Sequence, residues 1–295
     1  MDVTKEKKGS LTSFLLTHKC CPAPACPNTT PQFRTVDTTY PPLNNSPSPF
    51  KTEAWATLLH LYPGPLPFHL LQILRFGTRI GYIGPKVHIL SPNLQSALLD
   101  PGIIHQKLTE DLSNRCVVRT APNTPFISSP LGLVPKHNGG YRRIHHLSHP
   151  PGASVNDFID KKSVHLRYTS FQEVLDQVWN AGRHAIIMKK DIKDAFQNIP
   201  VAPHQQWLLG FEWENQYYKE ACLSFGLSTA PFLFNLFAEE FLWIIETYLH
   251  WDRLLLSGSC RASHADMVTR ILVVRSHRGS ERDYLCVGAK LYARR

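Results

Sequence analysis

The run KKDIKDAF, residues 189–196, closes a short apolar segment, AIIM, with two acids and an aromatic ring. An acid where a strand runs out into a turn is commonly just solvated. The other reading makes Asp191 a carboxylate held at a rigid strand end, the placement a hard cation such as Mg²⁺ prefers. On that reading Phe196, five residues on, stands beside a sugar and excludes a 2′-hydroxyl. The flanking sequence decides between the two.

Working outward, SFQEVLDQVWNAG (170–182) predicts a helix. Ser170 and Glu173 have capping-box spacing, Phe171, Val174, Leu175, Val178 and Trp179 form a helical stripe, and Gly182 supplies the stop. Downstream, WLLGFEW and YYKEACL flank ENQ as a hairpin, and SFGLSTAP leads into APFLFNLFAEEFLWIIETYL (230–249). Ser228 or Thr229 would cap that helix and Pro231 suits its first turn. Upstream, SSPLGLVPKHNGGYRRIHHLS reads as a hairpin, because Asn138, Gly139 and Gly140 tolerate the positive φ of a tight turn. Lys136, Arg142 and Arg143 cluster at its tip. Two earlier helices are expected, over PFHLLQILRFG with Leu70, Leu71 and Leu74 on one face, and over PGIIHQKLTEDLSN with Ile104, Leu108 and Leu112 on one stripe.

Strands and helices are therefore mixed without regular alternation, which argues for an α+β fold. Residues 1–55, rich in Pro, Ser and Thr, read as a disordered leader. An N-terminal helical segment follows over 56–125, a main unit over 126–253, and an atypical basic tail, expected to be poorly ordered, over 254–295.

The composition, 43% hydrophobic over 295 residues, suffices for a buried core. The most apolar run carries Glu239, Glu240 and Glu246, which a bilayer-crossing helix of about 20 residues would not normally hold. No membrane partner is expected. The opening MDVTKEKKGSLTSFLLTHKCC has an apolar patch shorter than a signal-peptide core of about 7–15 residues, so an intracellular location is expected. Seven cysteines, with Cys20, Cys21 and Cys26 unanswered by a second pair, read as free thiols. The net charge is +9, of which residues 252–295, with nine Lys/Arg against four Asp/Glu, hold +5. The other 251 residues hold only +4, compatible with a phosphate-binding groove without demanding one. His137, His145, His146 and His149 raise the question of zinc, but strand neighbours face opposite sides, so His145 and His146 cannot easily share an ion.

Taken together, the order of these segments resembles the fingers and palm of a reverse transcriptase. SPLGLVPKHNGGYRRIHHLSHPPGASVND resembles the family's fingers hairpin, MKKDIKDAFQNIPV its motif A and LSFGLSTAPFLFNLF its motif B. The wording RIHHLSHPPGASVND, with LRFGTRIGYIGPKV and SPNLQSALLDP upstream, is most similar to DIRS-type retrotransposons, an LTR-like group. The resemblance spans roughly residues 60–253. It implies a right-hand polymerase fold with fingers and an incomplete palm, no thumb, and template-directed transfer of deoxynucleotides to a primer 3′-hydroxyl. It implies Mg²⁺ on the catalytic carboxylate Asp191 and on the Ile192 carbonyl. Lys136 and Arg142 would contact the triphosphate, Phe196 would be the steric gate, and Phe225 and Gly226 would support the template–nucleotide pair. The implied partners are an RNA or DNA template with primer and deoxynucleoside triphosphates.

One departure bears on activity. The family's Y-x-D-D motif holds a second pair of metal-binding acids, and no adjacent Asp-Asp pair occurs in the chain. Asp252, Asp266 and Asp283 each stand alone in the tail. The chain is therefore expected to be a fragment truncated before that motif and unable to polymerise as it stands. A non-catalytic nucleic-acid-binding remnant is the alternative, and a zinc-holding structural protein built on the His and Cys residues a third reading.

Overall fold

The computed structural model describes residues 34–136, 139–160, 166, 171–181, 186–249, 253–258 and 269–275. In it, the apolar spacing of the sequence becomes helix where the repeat is three to four and strand where it is two. Helices α1 (Thr52–Leu58) and α2 (Leu66–Phe76) come first. Pro65 and Leu66 start α2, Gly77 ends it at φ 79°, and Leu70, Ile73 and Leu74 are its buried face. A Cβ on Gly77 would run into the backbone of Val201 and Ala202, so only glycine fits that helix end. Helix α3 (Pro101–Ser113) is capped by Asp100, whose carboxylate accepts from Ile103 N–H, with Pro101 in its first turn.

Five strands form one sheet in the order β1-β3-β7-β8-β2, from β1 (His88–Leu90), β2 (Val117–Arg119), β3 (Phe126–Ser128), β7 (Gly210–Trp213) and β8 (Gln216–Glu220). β7 and β8 are the expected antiparallel hairpin, turning at Glu214 and Asn215, both with positive φ. A two-stranded flap pairs β4 (Leu131–Pro135) with β5 (Tyr141–His145), Leu131 opposite His145 and Pro135 opposite Tyr141. Lys136 N–H donates to Gly140 O at 3.0 Å across the tip, where Gly139 and Gly140 have φ of 86° and 73°. His137 and Asn138, the rest of that turn, lie outside the described residues.

A three-stranded sheet, order β6-β10-β9, holds β6 (Ile186–Asp191) against β10 (Thr269–Arg275), which pairs with β9 (Arg253–Gly258). Asp191 is opposite Arg270 in that register. Helix α4 (Phe171–Ala181) precedes β6 and packs on β10. The long helix α5 (Ala230–Leu249) buries Leu233, Phe237 and Ile244 in the main core, together with Trp55, Leu70, Ile80 and Phe196. A second core of Ile104, Leu108, Leu131, Leu133, Phe211 and Trp213 lies between α3, the flap base and the five-stranded sheet.

Three expectations are revised. Residues 34–55, read as part of a disordered leader, are in contact with the body: Val36 and Trp55 join the core, and the Ser48 hydroxyl donates to Asn198 O at 2.6 Å. Few apolar residues suffice where each is deeply buried, which composition averaged over a segment does not register. In the tail read as poorly ordered, whose remainder lies outside the described residues, residues 254–258 and 269–275 belong to β9 and β10. Their apolar runs, LLL and ILVV, are too short to stand out against the surrounding Arg and Ser. On α4, Leu175 is 44% exposed and Trp179 86% exposed. They lie at one edge of a stripe wider than a single helix–sheet contact covers. Ser170 and Gly182, the expected cap and stop of α4, lie outside the described residues, as do the first 33 residues and Asp252, Asp266 and Asp283.

Candidate nucleotide cleft

The flap, α3 and the turn after β6 enclose a cleft of about 460 Å³. Lys136 and Arg142 line it from the flap, Ile192 from the residue after Asp191, and Phe225 from the loop before α5. Four of the expected site positions therefore share one cavity. The Asp191 side chain lies outside the described ones. Its backbone ends β6, and the next residue faces the cleft.

Phe196 is placed differently from the gate role implied for it. It sits on the 3-10 turn Ala195–Asn198, is 1% exposed and does not line the cleft. Its ring lies behind Phe225, centroids 4.9 Å apart and tilted by 54°, and meets Phe234 edge-on at 6.0 Å. Phe225 is half-buried and lines the cleft, as do Tyr141 and His145. Asp194, which starts the 3-10 turn with φ 49° in the left-handed region, also lines the cleft. Asp and Asn tolerate that conformation better than most residues.

Gly226 is required by close approach: a Cβ there would overlap the carbonyl of His145 at the end of the flap. The loop thus lies directly on the flap base. Leu227 N–H donates to Ser224 O at 3.2 Å, and the Thr229 hydroxyl donates to Ile80 O at 2.9 Å.

Lining the cleft, with Asp111 buried behind it, runs a largely buried charged network invisible to local pattern. Arg143 Nη2 donates to Asp111 Oδ2 at 2.8 Å and lies 3.7 Å from Glu220 Oε1, with its guanidinium over the Phe211 ring. Lys107 Nζ reaches Asp111 Oδ1 at 3.0 Å and Asp194 at 4.0 Å. Gln197 Nε2 donates to Asp111 Oδ1 at 3.2 Å. His145 sets Nδ1 3.2 Å from Glu220 Oε1 and Nε2 3.0 Å from Gly210 O. Gly210 O only accepts, so Nε2 carries a proton.

The charges tune one another. Burial pushes the Asp111 carboxyl upward, and although Arg143 and Lys107 oppose this, it stays above the usual carboxylate range. Burial acts upward on Glu220 as well, but the His145 hydrogen bond and the Arg143 charge outweigh it and hold Glu220 low. Burial alone would lower the Lys107 ammonium; the surrounding Asp111, Asp194 and Glu110 raise it instead. Arg143 is legible in the sequence as a flap cation, yet its buried partners are not, because Asp111 and Glu220 resemble ordinary polar positions of a helix and a strand. Among the described residues no group of three or more His, Cys, Asp or Glu is arranged to hold a metal ion, His146 and His149 included. Among them too, no helix is long and apolar enough to cross a membrane.

Residues 134–274 match the family model for reverse transcriptase (RNA-dependent DNA polymerase). The matched segment opens inside β4, contains the flap, β6, the Phe225 loop and α5, and closes inside β10. It therefore runs past residue 253, where the family resemblance was expected to stop, and takes in the two tail strands.

No curated protein sequence matches the chain. Similar solved structures include the native protease-reverse transcriptase of prototype foamy virus, 16% identical with a TM-score of 0.46 over 72% of this chain and 24% of that one. The foamy viral protease-reverse transcriptase in complex with RNA/DNA hybrid is 14% identical, TM-score 0.46, over 81% of this chain and 32% of that one. The foamy viral protease-reverse transcriptase in complex with dsDNA is 15% identical, TM-score 0.42, over 80% of this chain and 47% of that one. The chain thus spans less than half the length of these structures.

Proposed function

We propose that the cleft receives a deoxynucleoside triphosphate against a template–primer duplex, as the nucleotide site of an RNA-directed DNA polymerase of retroelement type. The observation that carries this reading is convergence. Lys136, Arg142, Phe225 and the residue following Asp191 meet in one cavity of about 460 Å³, within the matched segment. Two cations on a flap suit a triphosphate, the guanidinium as a planar fork and the ammonium as a point charge. Phe225 offers a flat face for a sugar or base, with Phe196 as its backing. On this reading the gate is a tilted pair of rings, Phe225 in contact and Phe196 behind it setting its depth, which favours deoxynucleotides by leaving no room for a 2′-hydroxyl.

Asp191 and the Ile192 carbonyl would hold one Mg²⁺, a hard cation served by oxygen donors at the end of a strand. When bound, such an ion supplies positive charge for the triphosphate oxygens. The donors fit one ion and not two: a second ion about 3.5–4 Å away needs further carboxylates, and the chain has no adjacent Asp-Asp pair. The chain's own side chains thus bind and orient the nucleotide, while the charge balance for transfer is incomplete.

That shortfall favours a second reading, a nucleic-acid-binding remnant with the same partners and no turnover. Primer extension on an RNA template with Mg²⁺ and deoxynucleotides separates the two. Binding of template–primer and nucleotide without extension is the expected result for the chain alone. Extended product would establish the polymerase and overturn the expectation of inactivity. Failure to bind either ligand would remove both readings.

A further inference from the structure

We propose that Asn156 is a positioning residue that locks the Phe225 loop to the base of the flap and thereby sets the nucleotide pocket. The inference rests on reading the cleft as a nucleotide site. Asn156 is 5% exposed, on the 3-10 turn Val155–Phe158. A capping box fixes that turn: the Ser154 hydroxyl accepts from Asp157 N–H, and the Asp157 carboxylate accepts from Ser154 N–H at 3.1 Å.

From this anchored turn the Asn156 side chain reaches across 70 residues of sequence. Its Nδ2 donates to Gly226 O at 2.8 Å and to Ser148 Oγ at 2.9 Å, while its Oδ1 accepts from Ser228 N–H at 3.0 Å. Both amide protons and one carbonyl lone pair are thus engaged. The two loop contacts straddle Leu227, itself 2% exposed, so one side chain holds the peptide groups on either side of it.

The opposite side of the loop is closed by the flap. Gly226 lies against the His145 carbonyl, and Asn156 N–H donates to Leu147 O at 3.0 Å. The loop is gripped between the two ends of the segment 145–156, which leaves the flap at His145 and returns at Asn156. Phe225 precedes the gripped residues, Arg142 is carried by β5, which feeds the segment, and Lys136 follows β4 at the flap tip. Ring and cations are therefore referenced to one another through Asn156. A helix cap would need a single acceptor; reading two successive peptide groups fixes the loop's register as well.

The test uses the full chain with a template–primer duplex, Mg²⁺ and the deoxynucleoside triphosphate complementary to the next template base, measured by equilibrium binding, so turnover is not needed. Asn156→Asp is nearly isosteric but replaces both amide donations by a carboxylate oxygen facing the Gly226 carbonyl. It is expected to raise the nucleotide Kd about tenfold with duplex Kd within about twofold. Asn156→Ser, smaller and uncharged, should show the same split if the aspartate variant does not fold. Hydrogen exchange of amides 226–230 reads the clamp without any ligand and should speed up in both variants.

Unchanged exchange and unchanged nucleotide Kd would overturn the inference. Weakening of nucleotide and duplex binding by the same factor would overturn it too, since that marks a general folding defect. A wild-type chain that binds no nucleotide, with the exchange effect intact, would instead strike the nucleotide reading of the cleft and keep Asn156 only as a loop clamp.

Discussion

Phe196 shows how far a side chain's role depends on what stands in front of it. The family resemblance implies a gate there, yet the ring is buried against Phe225 and Phe234. Removing a fully buried phenylalanine ring costs about 3–5 kcal/mol. Phe196→Ala should therefore lower the unfolding free energy measured in urea by an amount in that range. A ring that merely bordered solvent would matter far less, and a shift under about 1 kcal/mol would contradict the packing. Phe225→Ala should by contrast spare most stability and relax discrimination between deoxy- and ribonucleotide binding. Gly226 was legible as a loop glycine ahead of a helix. That its Cα rests on the His145 carbonyl was not, because the contact joins two segments whose local patterns are independent.

Two elements carry consequences of burial that can be measured. Helix α3 holds Asp111, fully buried and bonded to Arg143, Lys107 and Gln197. Deleting one partner of such a pair leaves the other charge uncompensated, at a cost of about 3–5 kcal/mol. Asp111→Ala should lose stability towards the low end of that scale in chemical denaturation, because Glu220 stays 3.7 Å from Arg143; a change within error would show that Glu220 and water satisfy Arg143. Helix α5 holds Glu240, buried, with the Tyr62 hydroxyl as its polar neighbour. Burial, opposed by the Tyr62 hydroxyl and reinforced by the neighbouring Glu239 charge, pushes it up to about 8. The folded state thus holds this proton more tightly than the unfolded chain does. Stability from this group is present below its ordinary value of 4.5 and is lost as pH climbs towards 8. Glu240→Gln should accordingly gain over the wild type at pH 8 and differ little at pH 4.5, read from urea midpoints at each pH. An equal difference at the two pH values would place Glu240 in contact with water.

At the scale of the whole molecule, a net charge of +9 is informative only through where it lies. Lys136 and Arg142 line the cleft beside Lys107 and Lys193, and the carboxylates of Glu110, Asp111 and Asp194 answer Lys107. Binding of a template–primer duplex should weaken steeply with salt, log Kd against log salt being linear. The double variant Lys136→Ala/Arg142→Ala, lacking the two cations assigned to the triphosphate, should leave that slope unchanged within about 1 and raise the nucleotide Kd about tenfold or more. A slope flattened by about 2 with nucleotide binding intact would place the two cations on the duplex instead.

The amino-acid sequence by itself determined most of the elements, because helix and strand periodicities and turn chemistry act over two to four residues. The flap with its glycine tip, α3 with its apolar stripe, the β7–β8 hairpin and the long α5 are all local in this sense. Tertiary structure alone decided which side chains meet. Asp111 finds Arg143 across 32 residues, Asn156 finds Gly226 across 70 and His145 finds Glu220 across 75. Each of these polar groups reads as a solvated surface position until packing removes its water. Only then does the need for a hydrogen-bonding partner select the other half of the pair.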